Sequence, residues 1–289
     1  MSDTIELVLS ASDILAHPRF PEARLAYIEA MLHLHENKVA LNRLLFNEGR
    51  AFIFFMIITM HASYRPDDRQ TWPTIEALKQ NLEGLGIASG RRAHDFIRRL
   101  NDIGYIESRA IDGDRRLKIL VPTEAMLAHD RQTLEVYYRP LHVMFPEPGY
   151  PEPMRLDPAF QQRARQIGAG FVAHSQQFIL ANRTIAFFLP RQGGMMVLTK
   201  LMQLCFERES DAIADISYAD LGDSFGISRT QVRKLLIEAE AIGLVQISGH
   251  TVAILPECIE GFDRFLADTM TGNDLVYRLA RDDETKPQS

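Results

Sequence analysis

Cysteine is scarce in this chain, since 289 residues contain only Cys205 and Cys258. Two thiols so far apart lack the short spacing of zinc ligands and cannot build a disulfide framework. His33 and His35 are two positions apart, so they cannot share one helix face as metal ligands. The sequence therefore predicts no metal site and is typical of a reducing compartment, which leads us to expect a cytoplasmic protein.

Long apolar segments are also lacking. The longest apolar run, residues 51–60, has about half the length needed to cross a bilayer. Residues 7–9 form an apolar stretch too short for a secretory signal. We therefore expect no association with a membrane.

An excess of positive charge is absent, because the chain has 32 Lys and Arg residues but 38 Asp and Glu residues, which gives a net charge of −6. This balance argues against non-specific binding of nucleic acid, so a nucleic-acid site would depend on how charge is distributed. The 46% hydrophobic and 24% charged residues are ordinary for a globular protein. The length allows two domains, each with its own core.

An internal repeat organises the chain. Residues 86–106 read GIASGRRAHDFIRRLNDIGYI and residues 226–245 read GISRTQVRKLLIEAEAIGLV, which match in pattern if one extra residue is allowed at Ala88. Each copy has a glycine-containing turn, a serine in an N-cap position and a helix with apolar residues at 3.6 spacing. Each helix ends at Ile-Gly, where glycine suits the left-handed position after a helix.

The segment before each repeat predicts a preceding helix. Thr74 is suited to cap a helix over residues 75–82, and Ser217 is suited to cap a helix over residues 218–225. In the second of these, we expect Leu221 and Phe225 to point inward. Each repeat therefore predicts two helices joined by a short turn, the helix–turn–helix unit.

A two-stranded hairpin is predicted after each repeat. Residues 105–110 and 116–121 flank Asp112-Gly113-Asp114, a strong hairpin signal. Residues 244–248 and 251–255 flank the shorter turn Gly249-His250. Residues 74–121 are called the first unit below and residues 217–255 the second unit.

The predicted fold is mainly α with small β-wings, as two winged helix–turn–helix domains in tandem. Residues 1–139 are expected to form an N-terminal domain with leading helices at 21–35 and 47–62, and residues 158–289 a C-terminal domain with a charged tail. Residues 139–158 hold six prolines, so residues 140–157 are interpreted as a semi-rigid linker that is neither helix nor central strand. A long helix from near Pro158 is expected to place these side chains in a core: Phe160, Ile167, Phe171 and Phe178.

The two units resemble the winged helix–turn–helix domain of bacterial regulators of the MarR type, above all over residues 89–106 and 228–245. The resemblance implies binding of a specific site in double-stranded DNA, regulation of transcription and a homodimer. Two copies in one chain indicate instead a built-in pseudo-dimer. His61, Tyr64 and Trp72 either line a pocket for a small-molecule effector, as in comparable regulators, or pack against the first unit, and packing is the favoured interpretation.

The second helix of the first unit has a predicted inner face of Ala93, Phe96, Ile97 and Leu100. The residues predicted to point outward are Arg91, Asp95, Arg98 and Asp102, with Arg92, His94 and Arg99 on the flanks. The resemblance implies that the outer face enters the major groove, where an arginine fork can bind guanine O6 and N7. The predicted DNA-binding residues of this helix and its hairpin are Ser89, Gly90, Arg91, Arg92, His94, Arg98, Arg99, Arg109, Arg115, Arg116 and Lys118. The alternative is a solvated face with ion pairs such as Asp95–Arg99.

The second unit has a weaker basic pattern. Its predicted DNA-binding residues are Ser228, Arg229, Thr230, Gln231, Arg233 and Lys234. Ile237 and Ala241 occupy the outward positions that Arg98 and Asp102 hold in the first unit, and outward apolar residues more often mark an interface. Whether this helix contacts DNA or is covered by another helix or a partner subunit stays open.

The sequence has no Ser/His/Asp, Cys/His or paired-carboxylate pattern that predicts catalysis, and no motif that predicts a cofactor. We therefore expect a DNA-binding regulator and no enzyme. Two alternatives stay open: a plasmid-type replication initiator, which also resembles tandem winged helices, and a protein-interaction module without DNA binding. The acidic net charge favours the second alternative.

Overall fold

The computed structural model describes residues 9–46, 49–84, 90–111, 114–208, 212–213 and 216–285. Within these ranges the chain is mainly α-helical, with one two-stranded and one three-stranded antiparallel sheet. The predicted class, mainly α with small β elements, is therefore confirmed.

In the described ranges, six α-helices precede the first sheet. They are α1 (Ala11–Ala16), α2 (Phe20–His35), α3 (Val39–Leu45), α4 (Arg50–Ala62), α5 (Ile75–Gly84) and α6 (Gly90–Asp102). The predicted cap of α5 is confirmed, because Thr74 Oγ1 accepts a hydrogen bond of 3.1 Å from the Ala77 N–H. A capping box of Ser10 and Asp13 begins α1 in the same way.

The first hairpin consists of β1 (Ile106–Ile111) and β2 (Asp114–Pro122), as the sequence predicts. Its register pairs Ile106 with Pro122 and Ala110 with Lys118. An isolated bridge joins Thr74 to Ile119, and the Leu120 N–H donates to the Pro73 carbonyl at 2.8 Å. These contacts attach the hairpin to the start of α5.

Eight helices follow: α7 (Glu124–Met144), α8 (Pro151–Met154), α9 (Pro158–Gly168), α10 (Val172–Ala181), α11 (Arg183–Phe188), α12 (Gly194–Glu207), α13 (Arg229–Ala241) and α14 (Pro256–Thr285). The second sheet contains β3 (Ala212–Ile213), β4 (Val245–Ser248) and β5 (Thr251–Ile254) in the order β3-β5-β4. The predicted second hairpin is confirmed, because β4 pairs with β5 from Val245–Ile254 to Ser248–Thr251.

The prediction of a regular helix over residues 218–225 is wrong. That segment is a series of turns that ends in a short 3-10 helix, Asp223–Phe225, although Leu221 and Phe225 are buried as predicted. Gly222 explains the difference, since a Cβ there would lie 2.3 Å from the Ile227 carbonyl oxygen. The close backbone approach requires glycine, and glycine disfavours a regular helix.

The predicted long helix after Pro158 is wrong in its length, because a 3-10 segment, Ala169–Phe171, separates α9 from α10. The break changes which side chains face inward. Phe160 is buried as predicted, Ile167 and Phe171 are half-buried, and Phe178 is 44% exposed, so the prediction of a core position for Phe178 is wrong.

The prediction of a non-helical linker over residues 140–157 is also wrong. Helix α7 continues through Pro140 to Met144, and α8 forms within the same segment. A proline inside a helix loses one backbone hydrogen bond, but burial of Leu141 and Met144 offsets that cost. Tyr150 holds the non-helical part of this segment against α14, because its hydroxyl donates to Asp274 Oδ1 at 2.7 Å.

Two buried apolar clusters organise the described residues. The smaller cluster takes side chains from α3 to α6, the first hairpin and Met126 of α7. The larger takes side chains from α1, α2, the second half of α7, α9, α11 to α14 and the second sheet. Helices α1 and α2 thus share a core with the C-terminal half, and Arg24 Nη1 donates to Asp263 Oδ2 at 2.7 Å. The buried clusters do not follow the predicted division at residue 139.

The length and the apolarity of the helices decide whether any of them could span a membrane. In the part of the chain that the structure describes, no single helix is long and apolar enough to cross a membrane. Helices α3 and α4 pass that test only together, as a pair bent by 84°.

Candidate nucleic-acid interface

Helix α6 presents a basic face to solvent because its apolar residues bury the opposite face. Ala93, Phe96 and Leu100 are 0% exposed. Arg98, which is predicted to point outward, and Arg92, His94 and Arg99, which are predicted to lie on the flanks, are all exposed. The structure therefore leaves the described basic side chains of α6 open to solvent around its outer face.

Asp95, one of two acidic residues on the outer face of α6 with Asp102, pairs with Arg98. Arg98 Nη2 donates to Asp95 Oδ1 at 3.3 Å, so the ion pair joins positions i and i+3 and not the predicted Asp95–Arg99. The two side chains are 68% and 51% exposed, and such surface pairs contribute about 0–1 kcal/mol. Arg98 can therefore exchange Asp95 for a phosphate or a base edge at small cost.

Some predicted residues of the first unit lie outside what the structure describes. Ser89 lies in the gap before α6, so its role as a cap stays a prediction. Gly90 and Arg91 form the first turn of α6, and Arg115 and Arg116 lie in β2, but only their backbone is described.

The first hairpin presents cations on both of its faces. Lys118 is paired with Ala110, and side chains alternate along a strand, so Arg109 points to the opposite face. Both side chains are exposed. Arg109 Nη2 lies 3.8 Å from Glu107 Oε2 at the surface. Burial and, secondarily, the charge of Arg109 lower the pKa of His61 on α4, so this face of the hairpin lies near the end of α4.

Of the three residues that were considered for an effector pocket, His61, Tyr64 and Trp72, the last stabilises the loop in which it lies. Its Nε1–H donates to the carbonyls of Arg65 and Pro66, each at 3.2 Å, which closes the loop after α4. A cavity of about 210 Å³ lies elsewhere, between α2, α12 and the turns at residues 220–225. An effector thus stays a prediction without support from the described geometry.

The N-terminus of α13 uses two of its predicted DNA-binding side chains for capping. Ser228 Oγ accepts from the Gln231 N–H at 3.3 Å, and Gln231 Oε1 accepts from the Ser228 N–H at 2.9 Å. Gln231 Nε2 also donates to Gln192 Oε1 at 2.8 Å. The predicted N-cap position of Ser228 is confirmed. The reciprocal role of Gln231 is one that the Ser-x-x-Gln pattern could have indicated.

The other predicted residues of α13 are exposed: Arg229, Thr230, Arg233 and Lys234. Lys234 Nζ lies 3.8 Å from Glu238 Oε1, and Glu238 also accepts from Arg191 Nε at 3.0 Å. Ile237 is 48% exposed, which confirms its predicted outward position. The outer face of α13 is thus basic in its first half and apolar in its second.

Comparison with protein-family models, curated proteins and solved structures finds no match to this chain. The function is inferred from the geometry and the sequence pattern. Within the described ranges, no group of three or more His, Cys, Asp or Glu side chains could hold a metal ion.

A basic residue that sequence reasoning missed lies beside the second unit. The exposed Arg43 on α3 donates through Nε to the Gly226 carbonyl at 3.2 Å, in the turn before α13. These residues are 183 positions apart, and no local pattern could have indicated the contact.

Proposed function

We propose that this protein is a sequence-specific regulator of transcription that binds double-stranded DNA through two winged helix–turn–helix units. It is proposed to act without catalysis and without a cofactor. The observation that carries the proposal is the exposed basic face of α6, beside a hairpin that bears Arg109 and Lys118.

In this proposal α6 lies in the major groove. Arg92, Arg98 and Arg99 extend from a helix whose other face is buried, so the helix presents them without loss of its core contacts. An arginine fork matches the two acceptors of guanine, while other arginines bind phosphates. The first hairpin follows the sugar–phosphate backbone or reaches the minor groove, and the Thr74–Ile119 bridge holds it beside α5.

The protein would regulate transcription by occupying its DNA site. A protein bound in the major groove at a promoter excludes or recruits the polymerase there. Binding to phosphates releases condensed cations, so affinity falls as the salt concentration rises. The net charge of −6 weakens binding over the protein as a whole, but next to the proposed DNA-binding side chains the acidic partners Asp95 and Glu107 form exposed pairs that DNA can replace.

The exposed Ile237 favours a second candidate function for the second unit, contact with another protein. The second hairpin supports it, because residues 244–255 contain no Lys or Arg. In this candidate the second half of α13 assembles the regulator with a partner or with another copy of this chain, and the first unit alone binds DNA.

Substitution of Arg98 and Arg99 together by alanine is expected to weaken binding to the selected site about 100-fold, since each arginine contact to DNA contributes about 1–3 kcal/mol. The site is first obtained by selection of random duplex DNA on the purified protein. Fluorescence anisotropy at several salt concentrations then gives the affinity, and the salt slope is expected to decrease by up to about 2.

The matched control replaces Arg155 and Arg264 by alanine, which removes the same charge from exposed positions outside both units. This variant is expected to bind like the unsubstituted protein. Unchanged binding after the Arg98 and Arg99 substitutions would remove α6 from the mechanism. A selection that enriches no motif would contradict sequence-specific binding and favour the protein-interaction module.

A further inference from the structure

Helix α3 contacts both units. Leu44 and Leu45 are buried in the smaller cluster, the core of the first unit. The residues around them bind the second half of the chain through the backbone, since the Asn37 N–H donates to the Ser224 carbonyl at 3.1 Å and the Gly193 N–H donates to the Phe46 carbonyl at 3.2 Å. Helix α3 is thus fixed at both of its ends against the C-terminal half.

The turn before α13 lies directly against α3. Gly226 has a φ of 75°, and a Cβ at this position would lie 2.8 Å from Val39 Cγ1 and 3.2 Å from the Val39 carbonyl oxygen. Arg43 Nε donates to the carbonyl of the same glycine. The contact leaves no space for a larger residue, and the turn cannot move without moving α3.

A second connection runs through α7. This helix is 21 residues long and continuous; it places Met126 in the smaller cluster and Leu141 in the larger one. Asp130 at its middle accepts hydrogen bonds from Arg165 of α9, and the Arg165 guanidinium lies 4.8 Å from the Phe55 ring centroid of α4. Two separate sets of contacts, a partly exposed set through α3 and a largely buried set through α7, therefore hold the units in one arrangement.

We propose that the two units act as a single rigid body that recognises one composite DNA site, with two half-sites at a fixed spacing and a fixed helical phase. The inference rests on the proposed function. DNA turns once in about 10–10.5 base pairs, so inserting about 5 base pairs moves one half-site to the opposite side of the duplex. An insertion of about 10 base pairs restores the phase but moves the half-site about 34 Å away, beyond the reach of a rigid body.

The rigid arrangement is tested first without DNA. Spin labels at Asn101→Cys on α6 and Ala241→Cys on α13 occupy exposed positions, while the native Cys205 and Cys258 are 2% and 0% exposed. Pulsed electron paramagnetic resonance is expected to give one narrow distance distribution. The labelled protein is diluted with excess unlabelled protein, so that distances between copies do not contribute. A broad or multiple distribution within one chain would overturn the inference whatever the protein binds.

The contact at Gly226 is tested with a matched pair of glycine variants. Gly226→Ala and Gly243→Ala both place alanine at a φ of 75° or 76°, so the backbone strain is alike, but a Cβ at Gly243 meets no atom within 4 Å. Only Gly226→Ala is expected to broaden the distance distribution and to weaken binding to the composite site by about tenfold or more. Equal behaviour of the two variants would remove the α3 contact from the coupling. If Gly226→Ala does not fold, the spacing experiment decides.

The spacing experiment uses the selected composite site with 5 or 10 base pairs inserted between its half-sites. Both insertions are expected to reduce the affinity to that of a single half-site. Retained affinity with the 10-base-pair insertion would overturn the fixed spacing while leaving DNA binding intact. A selection that enriches no motif overturns this inference together with the proposed function, and enrichment of a single uninterrupted half-site overturns this inference alone.

Discussion

Replacement of Asp130 by alanine is expected to lower the free energy of unfolding by about 3–5 kcal/mol, because it leaves a buried guanidinium without its carboxylate. Asp130 Oδ1 accepts from Arg165 Nη2 at 2.6 Å, and its Oδ2 accepts from Arg165 Nε at 3.0 Å and from Gln161 Nε2 at 2.7 Å. The side chains of Asp130 and Arg165 are only 3% and 14% exposed. Water therefore cannot replace the lost acceptor.

The measurement is equilibrium unfolding in urea, with Asp95→Ala as the control. Asp95 pairs with Arg98 at the surface, where loss of the pair is expected to change stability by less than about 1 kcal/mol. Asp130→Asn keeps an acceptor without the charge and is expected to lie between the two. An Asp130→Ala variant as stable as Asp95→Ala would show that the pair contributes no more than a surface pair.

Acid is expected to destabilise the protein from about pH 6.5 down to about pH 4, through His35 and His129. Both side chains are 7% exposed, and their rings lie 6.1 Å apart. The pKa of each is lowered to about 4, chiefly by burial, with smaller lowering contributions from His129 at His35 and from the charge of Lys38 at both. The hydrogen bond to Asn42 opposes the shift at His35, and the charge of Asp130 opposes it at His129.

Whether acid stabilises or destabilises the fold depends on which state, folded or unfolded, binds more protons. The unfolded chain, whose histidines have a pKa near 6.5, takes up protons that the folded protein excludes until the pH reaches about 4. Stability is therefore complete above pH 6.5 and falls as the pH decreases, by about 1.4 kcal/mol per pH unit for each histidine. Below about pH 4 the folded protein also binds these protons, and this contribution to the slope ends.

Urea unfolding at several pH values between about 7 and 5 measures this slope above the range in which most carboxylates titrate. The double substitution of His35 and His129 by glutamine is expected to remove most of the slope, even if packing losses lower stability at pH 7. His94→Gln, at an exposed position of α6, is expected to keep the slope. A double variant with the original slope would assign the acid sensitivity to other groups.

The elements that sequence reasoning predicted correctly have local causes. The α5 cap depends on Thr74 and a backbone N–H three residues later. The inner face of α6 follows from residues at 3.6 spacing, and the first hairpin follows from a turn signal between two alternating segments. The exposure of Arg92, Arg98 and Arg99 was predictable for the same reason, since a helix with one apolar face turns the other to water.

The features that were missed depend on distant contacts. Pro140 indicates a break in the local sequence, but burial of Leu141 against distant helices keeps α7 continuous. The contact of Arg43 with Gly226 joins elements that no periodicity relates. The exposure of Phe178 follows from the 3-10 segment before α10, which local propensity did not reveal.

The place of α1 and α2 in the larger core sets the order in which the chain can complete its fold during synthesis. These helices are synthesised before α14, yet Asp263, the partner of Arg24, is 239 residues further along the chain. Helix α1 packs mainly against α14, and α2 packs against α12 as well as α7, so part of the apolar surface of both helices lacks its native neighbours until α12 and α14 have been synthesised. Such long-range contacts slow folding and leave apolar surface open to aggregation. Residues 1–139 expressed alone would lack α12 and α14, so the faces of α1 and α2 that pack against those two helices would stay exposed to water.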